Sequence, residues 1–150
     1  MRKLLLAAGA VLVVGASGVA VAATTGAHTH GVAYVGLTHT EGKNLYISGD
    51  FKDSLLGRGA IVYLTRVGGS PTPGTVHVVS PQVTIYTRAG SLQGAGAADE
   101  VMTATSTTVK NGTFFLTKGT GAYKGHTFKG TFSGPLSQGV FTFTYSAVYR

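Results

Sequence analysis

The side chains able to do chemistry in this 150-residue chain are few and widely spaced. Asp50 and Asp53 stand three apart near the end of an apolar run. A carboxyl such as Asp50, if turned into an apolar interior, would hold its proton more tightly and could act as a general acid. The plainer alternative is a loop carboxylate capping the turn Lys52-Asp53-Ser54. Arg58 and Arg66 share one face of an extended segment with Ala60, Val62 and Leu64. Either both stand at the two ends of a strand layer, or one lines a polar cavity as an anion or carbonyl contact. Asp50 and Arg58 are the candidate catalytic residues. His28 and His30 fall on one side of Thr29 if that segment is extended, with His39 further along, and such a pair could offer imidazoles to copper, zinc or nickel. Two histidines alone make a weak site without further ligands, and a flexible N-terminal segment is the plainer explanation. No Ser/His/Asp or Cys/His arrangement emerges from the spacing. The chain has no cysteine, so it forms no disulfide, thiolate metal site or lipidated cysteine anchor.

Those residues must be positioned by one domain. Arg2 and Lys3 precede an uncharged run from Leu4 to Ala23 that ends in the small residues Ala20-Val21-Ala22. This is the pattern of a cleaved export signal over residues 1–23, with a membrane anchor as the rival reading. The remaining 24–150 is the length of a single domain and is large enough to fold without staples. Loss of Arg2 and Lys3 lowers the formal charge from +7 to +5. The basic residues are spread singly, which fits a solvated surface; attachment to anionic envelope polymers is the sharper alternative. A single-stranded nucleic-acid platform would interleave basic residues with the tyrosines, and this chain does not.

Period-2 alternation of β-branched and aromatic residues recurs along 31–149, bounded by Gly, Pro, Asn and Ser, and no window shows helical spacing. This predicts an all-β domain of eight to ten strands: a closed antiparallel barrel of about eight strands, with a two-sheet sandwich as the alternative, because closure hides strand edges without helices. In Val140–Tyr149 the alternation puts Phe141, Phe143, Tyr145, Ala147 and Tyr149 on one face, as a core wall. Asn111-Gly112 predicts a hairpin turn between Thr107–Lys110 and Thr113–Leu116; Asn111-Gly112-Thr113 also matches a glycosylation sequon, which the turn makes unnecessary. Val67–Gly74, with Pro71 and Pro73, reads as the longest irregular connection, a candidate lid at the barrel mouth or a solvated crossover. Glu41 and Glu100 both read as solvated turn residues.

One stretch carries a family resemblance. Lys118-Gly119-Thr120-Gly121-Ala122-Tyr123-Lys124-Gly125, followed by Phe128-Lys129-Gly130-Thr131-Phe132, resembles the glycine-rich signature of the allene oxide cyclase and dirigent superfamily, including its secreted bacterial members. Ser48-Gly49-Asp50-Phe51 and Ala89-Gly90-Ser91-Leu92-Gln93-Gly94 fit the same order, so the likeness spans Leu45 to Tyr149. Lys118 and His126-Thr127 depart from it. The resemblance implies a calycin-type barrel of eight strands with a ligand cavity, often trimeric in plant members. Gly119, Thr120, Gly121 and Gly125 would be structural, the glycines for backbone conformation and Thr120 for a turn hydrogen bond. It transfers no catalytic residue, since this chain lacks the cysteine and its glutamates read as solvated.

Together these features predict a secreted, non-enzymatic barrel. It would bind a small apolar or aromatic molecule through Tyr63, Phe141, Phe143 and Tyr145, or act as a stable extracellular module, with no cofactor, no nucleic acid and no membrane partner once the signal is removed. A homo-oligomer, trimeric by resemblance, is the expected assembly. The alternatives are a cyclase- or dirigent-like isomerase and an envelope-polymer binder.

Overall fold

The computed structural model describes residues 26–150, and the expected signal over 1–23 lies outside them. Eight strands follow one another: β1 (Ala27–Glu41), β2 (Asn44–Asp53), β3 (Gly57–Thr72), β4 (Thr75–Thr87), β5 (Gly90–Met102), β6 (Thr107–Gly119), β7 (Phe128–Ser137) and β8 (Val140–Tyr149). Each pairs antiparallel with the next, and β8 closes on β1 from Ala27↔Tyr149 to Gly36↔Val140. The result is a closed barrel rather than a sandwich, and closure leaves no free edge to recruit another chain. Among the described residues the only helical element is one 3-10 turn, Gly121–Tyr123, between β6 and β7. No helix among them is long and apolar enough to cross a membrane.

The alternation expected for β8 is realised. Phe143, Ala147 and Tyr149 are buried, and Phe141 and Tyr145 pack against the same core. The interior is a continuous aromatic cluster: Phe132 lies 5.0 Å from Phe143, Phe114 lies 5.2 Å from Phe128, and Tyr145 meets both Phe114 and Phe128 edge-on. Such offset and edge-to-face contacts satisfy the ring quadrupoles and add to the hydrophobic gain.

Two local expectations are corrected. Asn111-Gly112 is not a hairpin turn, because β6 runs unbroken through it. Asn111, at φ +52°, instead forms a bulge where the register with β7 jumps from Val109↔Gly134 to Gly112↔Phe132. Asn-Gly favours positive φ, and a bulge uses that preference as well as a turn does. The Asn111 amide then donates to Asp99 Oδ2 at 3.0 Å across the sheet. The hairpin with positive φ at both central residues is Gln138-Gly139, between β7 and β8. Val67–Gly74 is not a free loop, since β3 continues past its last partner on β2 and stays paired to β4 through Gly69↔His77 and Thr72↔Thr75. β4 runs as one strand past Pro81, which sits at a bulge where its missing N–H costs no ladder bond.

The two ends differ. One carries the four turns joining β1–β2, β3–β4, β5–β6 and β7–β8. At the other, the connection containing the 3-10 turn packs against β5. Ala122 N–H donates to Ala89 O at 2.8 Å, the Tyr123 hydroxyl pairs with Thr87 Oγ1 at 2.7 Å, and Tyr123 meets Tyr149 edge-on. Leu92, with no exposed surface, and Leu116 complete this plug.

Candidate functional site

The barrel interior holds a cavity of about 100 Å³ between the plug and the four-turn end. Its walls are almost wholly apolar. Phe51, Phe114, Phe128, Phe132, Phe141 and Phe143 surround it, with Val78, Val83, Ile85 and Val109 filling between the rings. Tyr63, Phe141, Phe143 and Tyr145, the four residues singled out for ligand contact, all line it. The polar lining is small: Tyr63 and Thr65 from β3, Ser80 from β4, Glu100 from β5 and Tyr145 from β8. Thr65 is committed elsewhere, donating to Val79 O at 3.2 Å.

Glu100 is a correction to the sequence reading. It was expected in a solvated turn after Asp99, but β5 extends to Met102, and the strand alternation turns Asp99 outward and Glu100 into the cavity. The signal was the continuation of the strand through Ala97-Ala98-Asp99-Glu100-Val101, where two adjacent acids mimic a turn. Burial raises the Glu100 carboxyl above its ordinary range, and no neighbouring charge or hydrogen bond offsets that. Tyr63 is pushed up as well, first by burial and then by the charge of Glu100. Glu41, in contrast, is exposed and accepts a hydrogen bond from the Tyr46 hydroxyl at 3.1 Å.

A second buried carboxylate stands at the plugged end. Asp53 is 5% exposed, and its Oδ1 accepts from Thr29 Oγ1 at 2.6 Å and from the N–H groups of Leu55 and Leu56 at 2.7 and 2.8 Å. It caps the β2–β3 turn and ties it to β1. Its Oδ2 is the one buried side-chain polar atom among the described residues without a hydrogen-bond partner. Gly31 pairs with both Asp53 and Tyr145, and a side chain there would overlap the Tyr145 phenol, so the glycine is what lets that hydroxyl approach the carboxylate. Burial, then the charge of Asp53, raises Tyr145.

The candidate catalytic pair does not meet at this site. Asp50 and Arg58 are exposed on the outer wall, because the inward positions of β2 and β3 are the odd-numbered ones: Phe51 and Asp53, Ile61 and Tyr63. Arg66 is also outside, its Nε donating to Asn44 Oδ1 at 2.6 Å. Asp50 lies in a cross-strand row between Tyr34 and Ala60, and Ala60 pairs in turn with Tyr86; both tyrosines are half exposed. His28 and His30 point outward from β1 on either side of buried Thr29, beside Lys129 and Arg150 along a shallow outer groove. Those cations oppose metal binding there, and no group of three or more His, Cys, Asp or Glu converges among the described residues.

The glycine motif lies at the plug. Gly119 approaches the Tyr123 carbonyl so closely that a Cβ would overlap it, and Gly121, at φ +59°, would collide with the Ala89 carbonyl. Gly125 has positive φ, at +81°, in open space. Thr120 reaches the start of β5, its Oγ1 accepting from Ser91 N–H at 3.0 Å and pairing with Ser91 Oγ at 2.8 Å. A strand follows rather than a helix, so these backbone groups do not form a phosphate loop.

Fold and site together define an up-and-down eight-stranded barrel with an aromatic cavity and a single carboxylate on its lining. Comparison with family models, curated proteins and solved structures finds no match.

Proposed function

We propose that this protein is an exported, non-enzymatic barrel that holds a small apolar or aromatic molecule in its interior. The observation that carries the reading is the cavity itself. A well-packed barrel of this size would fill its axis with side chains, yet here the six phenylalanine rings leave about 100 Å³ open. An apolar cavity of roughly 150 Å³ can stay dry and accept one benzene molecule. This one, at about 100 Å³, takes a single small ring or a branched alkyl group with a slight outward shift of the lining side chains. Export rests on the N-terminal sequence pattern.

Titration calorimetry with benzene tests this. Saturable one-site binding with a negative heat-capacity change is the expected result, and it should disappear in Ala98→Leu, which extends a lining side chain into the space. The reading fails if benzene shows no saturable binding.

A second reading, the cyclase- or dirigent-like isomerase implied by the resemblance, is favoured by one observation: Glu100 places a carboxyl with raised proton affinity inside an apolar chamber. Turnover of an unsaturated epoxide or a quinone methide that is abolished by Glu100→Gln would support it. Asp50 and Arg58 take no part in either reading.

A further inference from the structure

We infer that the cavity selects a cationic ligand, an amine or quaternary ammonium attached to a small apolar ring, over neutral and anionic molecules of the same size. This rests on the proposed ligand-binding reading and names the chemistry of what is bound.

Three features converge on it. Glu100 is the only formally charged residue lining the cavity, and no lysine, arginine or histidine shares the lining to neutralise it. Its surroundings offer no compensation from the flanking strands: Val76 faces it from β4 and Val109 from β6, while Tyr63 from β3 is the titratable neighbour. Second, the remaining wall is aromatic. Eight rings, six from phenylalanine with those of Tyr63 and Tyr145, line the same space, and π faces attract a cation more strongly where water is excluded. Third, the polarity runs opposite to the outer surface, which carries the chain's excess of lysine and arginine. An anion held against Glu100 would add a second negative charge in a poorly solvated space, and a neutral molecule would leave the carboxylate desolvated without a partner. An ammonium supplies both the counter-charge and the hydrogen-bond donors.

Calorimetry with three matched probes, benzylamine, benzyl alcohol and benzoate, near neutral pH separates the possibilities. Benzylamine should bind at least about tenfold more tightly than benzyl alcohol, a difference of the size expected for a partly desolvated cation contact, with benzoate the weakest. Glu100→Gln should lower benzylamine to the affinity of benzyl alcohol and leave benzyl alcohol unweakened. In the unaltered protein, the benzylamine preference should fade as pH is lowered through the Glu100 titration, an independent readout if the variant folds poorly. Equal or tighter binding of benzyl alcohol, or a preference that survives both Glu100→Gln and acidification, overturns the inference while leaving ligand binding intact. Absence of binding by all three probes removes the ligand-binding reading and this inference with it.

Discussion

Glu100 on β5 and Tyr63 on β3 line one cavity, and the carboxylate's charge adds to burial in holding the Tyr63 phenol above its ordinary range. The relationship is unfavourable to the empty fold. A carboxylate is kept partly out of water beside a hydroxyl that its charge makes harder to ionise, and neither gains a counter-charge. Polar groups held in this way commonly mark a site whose missing partner is a ligand.

The pH dependence of stability follows from that arrangement. Glu100 binds its proton more tightly folded than unfolded, so between its ordinary value of 4.5 and its raised folded value the folded state carries more protons, and unfolding free energy falls as pH rises. Below that window the contribution is level. Urea midpoints measured upward from pH 4.5 should therefore decline more steeply for the unaltered protein than for Glu100→Gln. Parallel curves would show that the carboxyl is solvated.

Three tyrosines should resist ionisation in the folded state. Tyr63, Tyr145 and Tyr149 are all raised, with burial the largest cause in each. The folded state therefore retains protons on these phenols at alkaline pH that the unfolded state has lost, and stability declines as pH rises above 10. Phenolate absorbance should show Tyr63, Tyr145 and Tyr149 ionising only as the near-UV circular dichroism collapses. Ionisation of these three while the near-UV signal is intact would contradict the packing.

Asp53 offers a sharper stability test. Asp53→Ala removes the acceptor for Thr29 and for two backbone N–H groups, and should cost about 2–4 kcal/mol. Asp53→Asn keeps an acceptor at the Oδ1 position and places a donor where Oδ2 now has no partner, so its cost should be about 1 kcal/mol or less. Denaturant unfolding of the two variants checks the order. The account of this end of the barrel fails if asparagine costs as much as alanine.

Much of this fold was legible in the residue pattern, and the reason is period. In β8 every inward residue from Phe141 to Tyr149 alternates with an outward one, so the wall and three of the cavity residues could be read directly. Features that depend on where a strand ends were not legible. Asn111-Gly112 satisfies a turn and a bulge with the same backbone preference, and Asp99-Glu100 looks like a turn unless β5 is known to continue. The parity of Asp50 and Arg58 was visible in the sequence, but which parity faces inward is decided by closure of the barrel around Phe51 and Tyr63.

Because Asp50 and Arg58 lie outside, Asp50→Asn and Arg58→Ala should each change stability by no more than about 0.5 kcal/mol and leave benzene affinity unaltered. Loss of binding in either variant, with the fold intact by circular dichroism, would place the site on the outer wall instead.

The central claim is an open apolar space on the barrel axis, and diffraction from crystals pressurised with xenon tests it most directly. The account predicts xenon density inside the barrel, enclosed by Phe132, Phe143 and Val109, with those side chains unmoved. A barrel interior filled by rearranged rings, with no xenon within it, would contradict the account.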